Sequence, residues 1–380
     1  MLGIKLGLGV NSIVRLHISK PQALITSLTS LFSNGEQGAI YIPRPIVNGE
    51  QALFQDAAGT TPVTADGDPD GLMVDQSPNS NNAAQSVSAE RPTYNANPDR
   101  LSLDKVDDAL IITVPAGGWA GTMVLATDQG TASYGISIPA GAYELGGEYF
   151  PGNAIVGAVF RDGALTTQEK ADAETYFVGN GATASYGAVT DFRGYWQGRS
   201  EITDFPLVDT SSATSLIVAW FQCTSLTSFP LIDTSSVTLL SSTWNGCSSL
   251  TSFPLIDTSN VSNFSFSWNG CSSLTSFPLI DTSSGNNFDR AWNGCSSLTS
   301  FPTNLFDNIK DSNFDRAFQG TNLNEASIDG ILVSLVTSGI AIGTRVFDQS
   351  GGSAPSVGTG QPAIDTLRAR GWTVTVTGGY

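Results

Sequence analysis

The sequence is poor in the residues that most enzymes and nucleic-acid-binding proteins depend on. Only 13% of its 380 residues are charged, it has one histidine, and its net charge is −17. Nucleic-acid binding is not expected, because phosphate groups require a basic patch. Histidine is the usual base of a hydrolase triad, and the single His17 lies in an apolar segment. No pair of carboxylates stands out as glycosidase machinery either, so we predict a protein that is not an enzyme.

Long apolar runs are also missing. About 18 consecutive apolar residues are needed to span a bilayer, and no such run occurs, so no membrane insertion is expected. The first residues, MLGIKLGLGVNSIVRLHI, are interrupted by Lys5, Asn11 and Arg15. They lack the charged region, the clean apolar core and the cleavage site of a signal peptide. We therefore expect no signal peptide.

What the sequence does contain is one unit repeated every 24 residues. The step is kept by Trp196, Trp220, Trp244, Trp268 and Trp292, by Cys223, Cys247, Cys271 and Cys295, and by Phe205, Phe229, Phe253, Phe277 and Phe301. Such a period is typical of repeats that bury a shared core by stacking. The pattern Leu250-x-x-Phe253-x-Leu255 matches the strand of a leucine-rich repeat, so one strand per unit with inward leucine and phenylalanine is expected.

The string CSSLTSFPLIDTSNV resembles the BspA-type leucine-rich repeats of bacterial surface proteins. The resemblance implies a right-handed leucine-rich-repeat solenoid over residues 196–322. Proteins similar to it include adhesins, secreted surface proteins and parts of phage virions. This likeness is specific for the fold and much less so for the function.

The rest of the chain divides around the repeats. Residues 32–178 contain strand-like runs separated by Gly, Asn, Asp and Pro, which predicts a β-sandwich-like module that ends in a helix at 166–177. Residues 1–31 form a predicted docking segment, with Ile4, Leu6, Leu8 and Val10 alternating, and residues 179–195 form a connector. Residues 323–380 predict a small α/β cap. The expected fold class is mainly β.

The run from Leu53 to Gln85, LFQDAAGTTPVTADGDPDGLMVDQSPNSNNAAQ, resembles a module of phage and prophage tail-fibre proteins. Those modules commonly form lectin-like jelly rolls. The resemblance implies a phage origin, although the module is short for a complete sugar site.

Asp66, Asp68 and Asp70 of the same run spell D-x-D-x-D-G with Gly71, the opening of an EF-hand loop. An EF-hand needs a bidentate acid at position 12, where this chain has Ser77. The three aspartates are therefore a weak calcium candidate, and a polar turn is the favoured interpretation. No cofactor is expected.

Three residue types of the repeat have both a structural and a functional interpretation. The cysteines have no C-x-x-C spacing or histidine partner, so buried thiols are favoured over disulfides or zinc. The aspartates of the repeated D-T-S (Asp209, Asp233, Asp257 and Asp281) are expected to accept hydrogen bonds from the turn that follows, and the alternative is a stripe that binds cations or sugars. The tryptophans are expected in the core, and the alternative is exposed rings that stack on sugars.

Recognition is predicted where the units differ. The letters LTSFPLID are identical in three units, whereas the segment after each D-T-S changes. Variation is tolerated where folding does not constrain the sequence, and specificity can be tuned there. The candidate binding residues are Ser259, Asn260, Ser262, Asn263, Ser284, Asn286, Asn287, Asp289 and Arg290. Neutral, solvent-facing turns are the competing interpretation.

These observations predict a phage virion structural protein, namely a tail fibre or receptor-binding subunit. The expected partners are other virion proteins through the N-terminal segment, a host cell-surface glycan or protein, and further copies of the chain in a homotrimer. The alternatives are a capsid or tail decoration protein without a receptor role and a bacterial surface adhesin.

Overall fold

A computed structural model of the protein describes residues 28–104, 106–147, 150–180, 182–310, 312–340 and 345–380. Most of the predicted docking segment, with Ile4, Leu6, Leu8 and Val10, lies outside the described residues, as does His17. Within the described ranges, no helix is long and apolar enough to cross a membrane.

The N-terminal module, residues 28–180, is built from short antiparallel strands and one helix. Its strands are β1 (Gly38–Tyr41), β2 (Ile46–Val47), β3 (Glu50–Gln51), β4 (Leu53–Phe54), β5 (Leu72–Met73), β6 (Ala83–Ala84), β7 (Thr93–Ala96), β8 (Asp99–Ser102), β9 (Ala109–Val114), β10 (Trp119–Thr127), β11 (Thr131–Ile138), β12 (Gly141–Gly146) and β13 (Ala154–Asp162). Helix α1 (Thr167–Gly179) follows, and β14 (Ile202–Asp204) comes from the first repeat unit. Two short 3-10 helices, Ser30–Phe32 and Ser88–Glu90, lie in the connections.

Two antiparallel sheets hold these strands. A seven-stranded sheet has the order β14-β11-β10-β13-β8-β7, with β1 also paired to β13, and a five-stranded sheet has the order β12-β9-β6-β5-β4. Leu110 and Ile112 of the small sheet share a buried core with Met123 and Tyr134 of the large one. The mainly β character of the module agrees with the sequence analysis.

The opposite face of the large sheet lies under helix α1. Val124 of β10 is buried there against the helix residue Phe177. The helix begins where its capping box predicts: the Thr166 side chain accepts a bond from the Glu169 backbone N–H, and the Glu169 carboxylate accepts one from the Thr166 N–H. Strand β10 is thus buried on both faces, which explains its run of apolar letters.

The repeats do not form the expected leucine-rich-repeat solenoid, and that prediction is wrong. Among the described residues between Phe205 and Asn324 there is no β-strand, only turns and isolated bridges. The reason lies in the Phe-Pro pair of each unit. Pro254 has no N–H to donate, and the N–H of Ile256 donates back to the Pro254 carbonyl at 3.0 Å, so a continuous ladder cannot form. Leu255, expected to point inward, is exposed.

The segment instead forms what we call the turn stack, residues 192–323. Single parallel bridges join equivalent residues of neighbouring units, such as Leu239 to Asn263 and Asn263 to Asn287. Alternate backbone N–H groups of one unit donate to carbonyls of the next: Leu240 to Asn263, Ser242 to Ser265, Trp244 to Ser267 and Gly246 to Asn269, over 2.7–3.1 Å. N–H groups between them close turns within the unit, as Thr243 does by donating to the Leu240 carbonyl at 3.1 Å.

Buried aromatic columns run through the turn stack. Neighbouring Trp rings from Trp196 to Trp292 lie 5.1–5.7 Å apart and within 8° of parallel. Each unit's phenylalanine meets a tryptophan edge-on, as Trp244 and Phe253 do at 4.7 Å. The core interpretation of the tryptophans is confirmed by their burial. Their indole N–H groups are not satisfied there: Nε1 of Trp220, Trp244, Trp268 and Trp292 has no hydrogen-bond partner within the described structure.

The first repeat unit joins the turn stack to the module. Arg199 occupies the position of the later cysteines, and its guanidinium donates to the Gly146 carbonyl at 3.0 Å and lies 3.7 Å from the Glu201 carboxylate. Tyr143 of β12 donates to the same carboxylate at 3.0 Å, and Trp196 Nε1 donates to Tyr134 Oη at 3.2 Å. Module and turn stack thereby share one hydrophobic core.

The C-terminal residues cover the last unit. Helices α2 (Glu325–Thr337) and α3 (Gly360–Ala369) pack together, and β15 (Val346–Asp348) pairs in parallel with β16 (Thr373–Thr375). Phe347 of β15 bridges to Phe314 of the last unit, which continues one line of bridges into the cap. Helix α2 lies where the apolar spacing at 326–337 predicts it. The second helix was predicted over 364–370, and it begins four residues earlier, at Gly360.

Candidate functional site on the turn stack

The candidate binding residues come together on one side of two neighbouring units. Ser284 Oγ donates to the Ser259 carbonyl at 2.6 Å, and the Asn286 N–H donates to the Ser262 carbonyl at 2.8 Å. Asn260 Nδ2 reaches one unit further back and donates to the Ser235 carbonyl at 2.8 Å. Equivalent residues of successive units therefore lie beside one another.

Several of these side chains hold the backbone in place. Asn263 Oδ1 accepts from the Ser265 N–H at 2.9 Å, and Asn287 Oδ1 accepts from the Asp289 N–H at 3.0 Å. These are Asx turns, in which the side chain imitates a backbone carbonyl. Asn263 and Asn287 are thus better explained as turn formers than as ligand contacts, whereas Asn260, Ser284 and Asn286 are exposed.

Sequence reasoning overlooked one position of the repeat. Of the residues that occupy it, only Arg290 was among the candidate binding residues. This position lies two residues before the tryptophan of each unit, or before Phe318 in the last unit, and its backbone is left-handed, with φ between 50° and 67°. We call these residues the left-handed column: Gly194, Val218, Ser242, Phe266, Arg290 and Arg316. A positive φ is uncommon outside glycine and is unfavourable for a β-branched residue such as Val218. The sequence did contain a signal for this position: the residue type two before the tryptophan differs in almost every unit, although the residues around it repeat.

The side chains of the left-handed column differ in chemical type, although the backbone conformation is the same in each unit. The Arg290 guanidinium lies 5.1 Å from the centroid of the Phe266 ring in the neighbouring unit and 3.0 Å from the Asp289 carboxylate. Burial raises the pKa of Asp289, and the neighbouring Arg290 charge partly opposes that rise. Phe266 and Arg290 are half-buried at the surface, so ring and guanidinium present one mixed apolar and cationic patch.

The aspartates of the D-T-S triplets form turns, as the favoured interpretation states. Asp257 Oδ1 accepts from the Ser259 N–H at 2.9 Å and from the Ser259 hydroxyl at 2.7 Å. Equivalent bonds to Ser211 and Ser235 hold Asp209 and Asp233. These hydrogen bonds lower the pKa of all three carboxyl groups. The carboxylates nevertheless remain exposed, so their negative charges face solvent.

The weak calcium candidate does not assemble. Asp66 accepts from the Ala96 N–H at 2.9 Å, Asp68 accepts from Thr64 and Ala65, and Asp70 is fully buried. Within the described residues, the acidic set whose ligand atoms lie within 4.8 Å of one another is Asp104, Asp107 and Asp108 instead. Asp104 there accepts backbone bonds from the residues that follow it, which is the behaviour of a turn.

The four cysteines are buried, and none is within bonding distance of another sulfur. Each thiol donates to the carbonyl of a tryptophan in the preceding unit, as Cys247 does to Trp220 at 3.1 Å. Burial raises the pKa of the Cys247 and Cys295 thiols to about 12, which leaves them protonated near neutral pH. The thiols therefore behave as small core groups rather than as nucleophiles.

Comparison with known proteins gives no match: no family model, curated protein or solved structure is similar to this chain.

Proposed function

We propose that the protein is a bacteriophage virion protein, a tail-fibre or receptor-binding subunit whose turn stack contacts the host surface. The observation that supports this proposal most strongly is the left-handed column. Five non-glycine residues at one repeated position keep an unfavourable backbone while their side chains change from Val to Ser, Phe and Arg. Strained backbone persists where the surrounding structure enforces it, and such positions cluster at ligand-binding sites.

Composition supports a display role outside the cell. The surface is rich in Ser, Thr and Asn and has few charges, so it resists adhesion by charge alone. In this proposal the N-terminal segment attaches the chain to other virion proteins, the chain acts as a homotrimer, and the turn stack faces a host glycan or protein. The chain carries out no catalytic reaction.

The test grafts the surface of one unit onto the next. The variant N286S/D289S/R290F gives the fourth full unit the letters that stand at the same positions one unit earlier, at Ser262, Ser265 and Phe266. Because those letters already fit this backbone, the fold is expected to survive. Fluorescently labelled protein is then titrated against a panel of bacterial strains, and bound label is measured by flow cytometry.

We expect strain-specific binding by the wild type and at least a tenfold loss of binding in the graft. The matched control, T275S/T299S, changes constant surface residues and should bind like the wild type. Loss of binding after periodate treatment of the cells identifies a glycan receptor, and loss after protease treatment identifies a protein. Equal binding by the graft and the wild type would show that Asn286, Asp289 and Arg290 do not carry recognition and would contradict the role given to this patch.

A further inference from the structure

The repeat changes length once, and a groove lies at that place. Phe318 follows Trp292 by 26 residues, whereas the tryptophans before it are 24 residues apart, so the unit that contains Phe301 is two residues longer. This longer unit and the unit before it line a groove of about 480 Å³, which is within the range of small-molecule sites. We call it the long-unit groove, and its lining residues include Leu279, Asp281, Ser283, Asn304, Asp307 and Asn308.

Two carboxylates of the long-unit groove are each held by one oxygen. Asp307 Oδ1 accepts from the hydroxyl of Ser334, a buried residue of helix α2 that also accepts from the Phe306 N–H at 2.9 Å. Asp281 Oδ1 accepts from the Ser283 N–H at 2.8 Å. Within the described residues, Oδ2 of each aspartate has no hydrogen-bond partner, so the protein orients both carboxylates and leaves one acceptor of each unused.

The turn at Asp281 differs from the equivalent turns in the three units before it. There the hydroxyls of Ser211, Ser235 and Ser259 each donate to the preceding aspartate at 2.7 Å. Ser283 donates through its backbone N–H, and its hydroxyl makes no hydrogen bond with another described residue. The turn beside the groove therefore keeps a hydroxyl and a carboxylate oxygen that the fold does not use.

The longer unit adds two exposed amide side chains. Asn304 Oδ1 accepts from the Thr303 hydroxyl at 2.9 Å, and its Nδ2 has no partner in the part of the chain that the structure describes. The Asn308 side chain likewise makes no hydrogen bond there. Amide N–H groups donate, whereas carboxylate oxygens only accept. The long-unit groove thus offers donors and acceptors together.

This mixture of groups selects the class of ligand. A sugar hydroxyl both donates and accepts, so it can satisfy a carboxylate and an amide at once. An anion would be repelled by the two carboxylates, in a chain whose net charge is −17. An amine would bind the carboxylates but leave the amide N–H groups without an acceptor.

A metal ion is not the favoured occupant. Within the described residues, the acidic groups whose ligand atoms lie within 4.8 Å of one another are Asp104, Asp107 and Asp108, which belong to the module. The long-unit groove also includes the exposed Leu279, against which the C–H face of a sugar ring can pack. A metal ion would make no use of that apolar surface.

We propose that the long-unit groove binds a neutral carbohydrate. Asp281 and Asp307 accept hydrogen bonds from sugar hydroxyls through Oδ2, and the amides of Asn304 and Asn308 donate to hydroxyl oxygens. The groove shares no residue with the left-handed column, and the proposal does not rest on the proposed function.

The probe is a printed array of neutral and anionic oligosaccharides, and spermine serves separately as a cation without hydroxyls. Fluorescently labelled full chain is applied to the array, and the neutral oligosaccharide that binds best is titrated by isothermal calorimetry. Spermine is titrated in the same way. We expect binding to neutral oligosaccharides and none to anionic ones or to spermine.

Two variants of the chain locate the binding. D281N/D307N keeps both Oδ1 acceptors but replaces each unused acceptor with an amide donor, and N304A/N308A removes the two amides. Each should weaken binding of the neutral oligosaccharide roughly tenfold or more, because ligand hydroxyls lose their partners. D233N/D257N makes the same change at two turns outside the groove and should bind like the wild type, and circular dichroism checks that every variant is folded.

Three results would overturn the proposal. If no neutral oligosaccharide binds, or if one binds the wild type and both groove variants equally, the groove is not a carbohydrate site. Binding of spermine that D281N/D307N abolishes and N304A/N308A leaves unchanged identifies a cation site instead. None of these results bears on the left-handed column, whose own test is the graft measured on bacterial cells.

Discussion

The module and the turn stack keep their chains in order by different means. In the module, β10 and β11 pair along eight consecutive residues, and the short turn between them together with the pattern of buried side chains sets the register. In the turn stack, neighbouring units share isolated bridges and alternate hydrogen bonds, while side chains of the same type align from unit to unit. Order in the turn stack therefore depends on the same residue type recurring at each position, whereas order in the module depends on continuous strand pairing.

The two regions also differ in what they bury. Apart from Glu201 in the first unit, the buried polar groups of the turn stack are uncharged, and several are paired: Thr234 and Thr258 donate through Oγ1 to the carbonyls of Asp257 and Asp281, and the thiols donate to tryptophan carbonyls. Its buried polar atoms without a partner, such as Ser215 Oγ and Trp268 Nε1, are neutral as well. The module encloses Asp70, and neither of its carboxylate oxygens has a hydrogen-bond partner within the described structure. A change in the turn stack should therefore act through packing, and a change at Asp70 through charge.

The largest effect is expected from truncation of a tryptophan in the middle of the turn stack. Trp268 is fully buried between two parallel tryptophans and two phenylalanines. Trp268→Ala should lower the free energy of unfolding by about 3–5 kcal/mol, as large-to-small core changes do. Urea denaturation followed by circular dichroism measures the loss.

The cysteines show whether that loss is local. Because all four lie in the turn stack and burial keeps them protonated, wild-type thiols should react slowly with a thiol reagent at pH 8, and all four should react in denaturant. Trp268→Ala should speed the reaction of Cys247, Cys271 and Cys295, the thiols around the cavity. Trp119→Ala in the module is the matched control, and it should leave the rates at which the thiols react unchanged. Equal acceleration by both variants would show that the two regions open together.

An intermediate effect is expected at Asp70, and it depends on pH. Burial raises the pKa of this carboxyl from 3.8 to about 8. The folded state therefore binds a proton that the unfolded state releases, so the stability due to this group is complete below about pH 4 and is lost as pH rises towards 8. The slope in that window is at most about 1.4 kcal/mol per pH unit.

Asp70→Asn should remove this slope, because asparagine does not titrate. The measurement is the free energy of unfolding of wild type and variant at several values between pH 4 and pH 8. The difference between the two proteins should change in the variant's favour as pH rises. A constant difference across the window would mean that Asp70 is ionised in the folded protein, with a compensating cation beside it.

Periodicity predicted which residues share an environment, but not which environment that is. The 24-residue step placed Trp244 and Cys247 in columns, and their burial followed from their chemistry. The same step placed Leu255 in a column that is exposed, since an apolar letter does not say which side of an extended segment faces the core. Pro254 was the available signal against a strand, because a missing N–H at the same place in each unit prevents a ladder.

The start of helix α1 could be predicted from the sequence, whereas most of the candidate surface could not. Thr166 and Glu169 predicted the start of α1 because both bonds of a capping box form within four residues. The left-handed column depends on backbone angles that successive turns impose, and no propensity predicts a positive φ at Val218 or Phe266. Asp66, Asp68 and Asp70 look alike in sequence, yet their surroundings differ: Asp66 accepts from the distant Ala96, Asp68 accepts from the nearby Thr64 and Ala65, and Asp70 is buried. Spacing alone therefore did not exclude a shared metal.

The smallest effect is expected at a single aspartate of the turn stack, and its pH dependence should have the opposite sign to that of Asp70. Asp257 is exposed and accepts two hydrogen bonds from Ser259, which lower its pKa. Asp257→Ala should cost about 0.5–1 kcal/mol near neutral pH, the net worth of such bonds. Since the folded pKa is depressed, this contribution is present above about pH 4 and is lost as pH falls through the lowered pKa.

Asp257→Asn is the control, because asparagine forms the same turn without a charge and should retain most of the stability at every pH. Thermal unfolding of the three proteins at pH 3 and pH 7 measures both effects. If alanine and asparagine destabilise equally at pH 7, the carboxylate stabilises the fold through its charge rather than through the turn. If neither variant changes the stability, the aspartate column is not kept for the fold.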